Sequence, residues 1–276
     1  MAFGKTDDPR FRRDMVMADA TIKIFSYLPN PRVWKALVAA QFCGVNVTVA
    51  GDKPANLQNW LWDFDARELR PDECVEDSPH ARLSKRGFSG TLYKTDAFLQ
   101  AHPFGTVPAA FSEDGSIGIF ESNSILRAVV RAAENDHGLY GKTGNEASRV
   151  DSFLDAALVL AREAQVYLLS INELSQVTHE RMSSAYEFYL SGINRSLATS
   201  DYIASDQLTI ADIGFVCDVS QFLRERLLED SLKQQGFAVI SKNMEREYPL
   251  ATAHLKTLGA MPEFSTHLGD YLSKVF

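Results

Sequence analysis

Two fold classes succeed one another along this chain, an α/β half built on a small sheet and then an all-α half, and three observations predict it. Residues 21–25 alternate and are β-rich, apolar residues then recur at helical spacing, and a second β-rich run follows, which is a βαβ pattern. Two short strand-like runs flank Asp114-Gly115 and read as a hairpin. Beyond a glycine cluster ending near Asn145 the apolar residues keep only a helical period.

In order, Thr21-Ile22-Lys23-Ile24-Phe25 reads as the first strand, broken by Tyr27-Leu28-Pro29-Asn30-Pro31. Val33, Trp34, Leu37, Val38 and Phe42 then mark a helix that Cys43-Gly44 closes, and Val45 to Val49 form a second strand. So short a crossover favours parallel pairing. After Pro54 the pattern loosens into an insert, about residues 55–95, rich in aromatics and charge. It resumes through His102-Pro103 into a strand at Val107 to Phe111, a turn at Asp114-Gly115, and a strand at Ile117 to Phe120. A helix from Ser122, carrying Ile125, Leu126, Val129 and Val130, completes a βαβ…ββα unit. The reading divides the chain into an arm at 1–20, an α/β domain at 21–137 and a helical domain at 145–276, with a linker from Gly138 to Asn145. In the second domain Val150, Phe153, Leu154, Ala157 and Leu158 share one face, and Tyr186, Tyr189, Leu190, Ile193 and Leu197 another. Thr209-Ile210-Ala211-Asp212 has capping-box spacing with Asp in place of Glu, ahead of an apolar run from Ile213 to Leu223.

With 276 residues and 45% hydrophobic content the chain can bury a real core, and its net charge of -8 with no basic stripe argues against nucleic-acid binding and anionic membranes. No stretch is long and apolar enough to span a bilayer, and the charged first twenty residues lack a secretory apolar core. Three widely spaced cysteines, Cys43, Cys74 and Cys217, suit a reducing compartment, so a cytoplasmic protein is expected. The six histidines show no metal-ligand spacing, and no metal is expected.

Val107-Pro108 and Glu121-Ser122-Asn123 carry the functional signal. An X-Pro bond at a strand entry can be cis, turning the Val107 N–H and C=O away from the ladder and toward a ligand backbone. Ser122 can cap the following helix, whose first N–H groups then face a ligand carboxylate, while Glu121 holds an adjacent ammonium. A γ-linked peptide with its own thiol, glutathione, meets all these demands. A lone V-P is usually a turn and a lone Ser usually a cap, and the order and spacing of the two raise the odds.

These segments, with the T-I-A-D box, resemble the cytosolic glutathione transferases. The likeness runs from about Thr21 to the C-terminus and implies a thioredoxin-like N-terminal domain followed by an all-helical one. Lys35 to Phe42, Phe120 to Asn123 and Leu208 to Ile213 are most similar to the glutathione-transferase-like domain of the gamma subunit of eukaryotic translation elongation factor one. The chain departs from that pattern in its long insert and in stopping at Phe276 without the subunits' extra C-terminal domain, which weakens a translational role. Some bacterial members of the superfamily cleave β-aryl ethers of lignin fragments with glutathione, and an aromatic-rich insert suits such a substrate.

The resemblance implies that the nucleophile is glutathione's own thiol, so that the protein lowers the thiol pKa and places a small aromatic electrophile. Ser26, Tyr27 and Asn30, just after the first strand, are the expected thiol donors; the usual catalytic position falls nearer Asn30 or Pro31, where no hydroxyl stands. Lys53 can reach the glycyl carboxylate, against the plainer reading of a solvated loop lysine. Trp60, Trp62 and Phe64 either wall the electrophile site or anchor the insert. A homodimer, or a heterodimer with a related chain, is expected. The rival to an enzyme is a scaffold module with a vestigial cleft, like the elongation-factor domain.

Overall fold

In the computed structural model, residues 21–276 are described except 85–87 and 89; the expected arm at 1–20 lies outside the described residues. Strand β1 (Thr21–Phe25) runs parallel to β2 (Asn46–Ala50) across helix α1 (Pro31–Cys43), with Thr21 opposite Asn46 and Phe25 opposite Ala50. Gly44 ends α1 at φ 69°, left-handed backbone that glycine adopts without a Cβ clash. Pairing continues past the strands, with Ser26 N–H on Ala50 C=O at 3.0 Å and Leu28 N–H on Asp52 C=O at 2.8 Å. Gly51 lies inside that seam, and a Cβ there would sit 1.7 Å from the Ser26 carbonyl oxygen.

The residues from Pro54 to Lys94, expected to be loosely patterned, instead build a sheet of their own. Strands β3 (Trp60–Trp62), β4 (Arg67–Glu68), β5 (Ala81–Leu83) and β6 (Thr91–Lys94) lie in the order β4-β3-β6-β5. Trp62 and Leu92 turn inward with Leu57 and pack on Phe25, Phe98 and Phe111, which fastens this second sheet to the first. Helix α2 (Asp96–Ala101) then leads to β7 (Ala109–Phe111) and β8 (Gly118–Phe120), the predicted hairpin, and the first sheet reads β2-β1-β7-β8. Helix α3 (Ser122–Ala132) closes the α/β half.

The remainder is helical: α4 (Gly144–Leu169), α5 (Gln176–Ser196), α6 (Ile210–Leu223), α7 (Glu229–Gln234), α8 (Met244–Glu247), α9 (Pro249–Gly259) and α10 (Pro262–Val275). Thr143 caps α4 by accepting from Glu146 N–H, so the helix begins inside the expected linker, at Gly144. Val150, Leu154 and Ala157 are buried as expected of the α4 face, whereas Leu158 is 41% exposed. Ile213, Val216, Val219, Phe222 and Leu223, the apolar residues of the run predicted for α6, are all buried. Its box is complete: the Asp212 carboxylate accepts from Thr209 N–H at 2.9 Å, from Ile203 N–H at 3.0 Å and contacts His254 Nε2 at 2.8 Å. One apolar core runs without a break from Ile22 and Ile24 through α1, α3 and α6 to α10. Among the described residues no helix is long and apolar enough to cross a membrane.

Candidate functional site at one end of the sheet

Strand register brings the predicted site residues together. Phe25 pairs with Ala50 on one side and Ala109 on the other, and Ala109 pairs with Phe120. Ser26-Tyr27, Lys53, Val107-Pro108 and Glu121-Ser122 therefore all leave the sheet at the same end, within a few residues of those four positions. This convergence follows from topology, since β7 is antiparallel to both of its neighbours.

The loop before β7 is held from two sides. Lys94 Nζ donates to the Gly105 carbonyl at 2.6 Å, and Thr106 N–H donates to His102 Nε2 at 3.2 Å. His102 caps the end of α2 and stacks on Phe120 with ring centres 4.7 Å apart. Burial pushes its pKa down, and a ring that accepts at Nε2 is the neutral tautomer with its proton on Nδ1. The Val107–Pro108 peptide is cis. Val107 is half-buried and lies outside β7, and among the described residues nothing pairs with its backbone N–H or C=O. Lys94 belongs to the insert, so the insert's last strand fixes the loop that presents Val107.

At the start of α3 the expected roles shift by one residue. Glu121 rather than Ser122 is the N-cap, with φ 66° and ψ 127°, and its side chain caps nothing. A non-glycine residue at such φ costs on the order of 1–3 kcal/mol, and strain of this kind concentrates at functional sites. Without a capping side chain, the first N–H groups of α3 remain open, the feature that makes a helix start receptive to an anion. Glu121 is exposed, whereas Ser122 and Asn123 are buried at 7% and 3% exposure.

Behind that helix start lies a buried cation that sequence reasoning missed. Lys35 of α1, 1% exposed, donates to Ser122 Oγ at 3.3 Å, Asn123 Oδ1 at 2.7 Å and Asp218 Oδ2 of α6 at 2.7 Å. Asn123 Nδ2 donates to the Leu154 carbonyl at 2.7 Å, so that side chain is fully engaged within the protein. The available signal was a lysine among Val33, Trp34, Ala36 and Val38, and an aspartate inside the otherwise apolar α6 run.

The three expected thiol donors differ in access. Asn30 is fully buried and caps α1, its Oδ1 accepting from Arg32 N–H at 3.0 Å and its Nδ2 donating to Ser26 Oγ at 3.0 Å. Ser26 is fully buried as well. Tyr27 is half-buried; burial raises its pKa against the opposing pull of Arg32 and Arg224, so its phenol keeps its proton and can donate. Lys53 is exposed. Burial also raises the thiol pKa values of half-buried Cys43 and buried Cys217, and all three cysteines are free.

Of the two readings of the insert's aromatics, the packing favours anchoring. Trp62 is 1% exposed and meets Phe25, Phe88 and Phe98 edge-on, with its Nε1 donating to the Leu57 carbonyl at 3.0 Å. Phe64 lies against Phe111 and under Lys23 Nζ. Trp60 and Phe64 are half-buried, Trp60 against Phe25, so all three rings pack within the α/β half, and an aromatic-ether substrate is left without the support the insert's composition lent it.

The architecture is that of a glutathione transferase fold: a small mixed α/β half followed by a helical half. An epsilon-class glutathione S-transferase from the housefly, Musca domestica, superposes with a TM-score of 0.60 at 18% identity, covering 92% of this chain and 94% of that one. A glutathione S-transferase from Methylobacillus flagellatus KT with glutathione bound gives 0.59 at 14% identity, over 89% and 98% of the two chains. In sequence the chain is similar to elongation factor 1-gamma 1 of Oryza sativa subsp. japonica, 26% identical over 246 residues, and to elongation factor 1-gamma of Danio rerio, 26% identical over 251. These alignments take in 87% and 90% of this chain but 47% and 46% of the relatives, so the chain spans about half the length of the curated relatives it matches. No protein-family model matches it.

Proposed function

We propose that this end of the sheet binds glutathione and that the protein is a transferase in which the bound peptide's thiolate displaces a leaving group from an electrophilic carbon of a small hydrophobic substrate. One observation carries the reading: the unpaired backbone of Val107 and the uncapped start of α3 sit at the same end of the β7–β8 hairpin, as an extended peptide with a terminal carboxylate requires. Val107 pairs with the cysteinyl backbone, the α3 N–H groups and the Ser122 hydroxyl take the γ-glutamyl carboxylate, and Glu121 takes the ammonium. Asn123 contributes its backbone, its side chain being engaged, and Lys53 meets the glycyl carboxylate from solvent. Tyr27 is the reachable thiol donor; Ser26 and Asn30 act behind it, holding the chain from β1 into α1. Each unit by which the thiol pKa falls corresponds to about 1.4 kcal/mol of preference for thiolate. The fold's dimer habit and the three free thiols fit a dimer in a reducing compartment.

The test is retention on glutathione resin with ultraviolet titration of the bound thiol. The expected result is specific elution and a thiolate band already present near neutral pH. No retention and an unshifted thiol, together with co-purification of another polypeptide, would establish the second reading, an interaction module with a disused cleft. That reading draws on the elongation factor 1-gamma names of the sequence relatives and on the enclosure of Ser26 and Asn30.

A further inference from the structure

Lys35 has three N–H donors, no lone pair, and three protein acceptors, Ser122 Oγ, Asn123 Oδ1 and Asp218 Oδ2. An ammonium can only donate, so toward Lys35 the Ser122 oxygen can only accept. Asn123 Oδ1 and Asp218 Oδ2 accept from the same ammonium, while Asp218 Oδ1 is buried and takes no hydrogen bond among the described residues, from Ser122 or any other donor. Among the described residues no acceptor within the protein takes the Ser122 hydroxyl proton, although the residue is only 7% exposed. Its proton is left for an acceptor from outside the protein, such as an anion shared with the uncapped N–H groups of α3.

From this geometry we infer that Lys35 is a positioning residue for the carboxylate site: it locks the Ser122 hydroxyl as a donor toward the ligand and places the positive end of a buried ion pair behind the helix start. The inference rests on the glutathione reading of that site and adds to it a residue that never touches the ligand. Lys35 Nζ bonds Ser122 and Asn123 in the first turn of α3 as well as Asp218 of α6, which sets a positive charge beside the positive end of the helix dipole where the carboxylate binds. Remove the ammonium and the Ser122 proton can turn inward to Asn123 Oδ1 or Asp218, leaving a lone pair toward the anion.

The experiment is a protein–ligand double cycle, read by calorimetry on the full chain. Wild type, Ser122→Ala and Lys35→Met/Asp218→Leu are each titrated with glutathione and with its analogue amidated at the γ-glutamyl α-carboxylate. A charge-assisted hydrogen bond separates the two ligands by about tenfold or more in the wild type. The expected result is that this ratio falls toward one in both variants. A merely structural role would weaken both ligands alike and keep the ratio, and that outcome in the double variant overturns the inference while leaving glutathione binding intact. A wild-type ratio in Ser122→Ala overturns it too. If the wild type binds neither ligand, the functional reading itself falls and the inference with it. Should the apolar pair fail to fold, Lys35→Gln/Asp218→Asn retains a neutral hydrogen-bonded pair but offers Ser122 an acceptor, and it must lose the ratio that Lys35→Arg keeps.

Discussion

Lys35 and Asp218 stand 183 residues apart in sequence and form an ion pair whose side chains are each 1% exposed. A pair this enclosed contributes little net stability, yet leaving one member alone is costly because an uncompensated charge stays inside. Lys35→Ala is therefore expected to lower the urea-unfolding free energy by about 3–5 kcal/mol, and Lys35→Met/Asp218→Leu to recover most of that loss. A loss below about 1 kcal/mol for Lys35→Ala would show the site to be wet. Asp212 makes the parallel case at the α6 cap. With four protein groups bonded to a fully buried carboxylate, Asp212→Ala should cost more than the ~1 kcal/mol of an ordinary cap, measured in the same way. That cap was legible in four consecutive letters. The Lys35 network was not, because a lysine on a helix reads as its solvated edge until α6, far along the chain, is folded against it.

Elements with a clear period were legible to within a residue or two: β1, α1, β2, the hairpin and α6. The insert was not, because strands of two to four residues are too short for alternation to register, and β3 pairs with β6 from some thirty residues away in sequence. Its contribution to the site passes through Lys94. Lys94→Met removes the donor on Gly105 C=O, so amide exchange at Thr106 should quicken while the urea midpoint shifts only slightly; unchanged exchange would mean that His102 alone holds the loop. The hairpin carries a pH prediction. Asp114 accepts from Ser112 Oγ and from Ser116 N–H and Oγ, which lowers its pKa to about 2. A carboxyl depressed in the folded state adds stability that is complete above its unfolded pKa and fades as pH falls toward the folded one. Asp114→Asn should therefore melt below the wild type at pH 7, and the gap should close as the pH drops from about 4 to 2. A gap independent of pH would assign the effect to the turn's shape rather than its charge.

At the scale of the whole molecule, one core joins the two halves, yet one apolar surface is left outside it. Between α4 and α5 lies a groove of about 470 Å³ in which Val159, Val177 and Phe188 are 47%, 64% and 59% exposed, rimmed by Glu163, Glu180 and Arg181. Apolar side chains grouped this closely inside a charged rim mark a contact surface more often than bare solvent. A two-fold dimer places the same patch of both copies in one interface, so a single charge introduced there acts twice. Phe188→Glu is accordingly expected to halve the sedimenting mass while leaving the circular dichroism spectrum and the melting temperature of the fold nearly unchanged. Because Val107 and Ser122 lie at the sheet end and not in this groove, the monomer should still bind glutathione. A dimer that survives Phe188→Glu would place self-association on another face, and a wild type that sediments as a monomer would leave the groove to a different chain, the arrangement the scaffold reading requires.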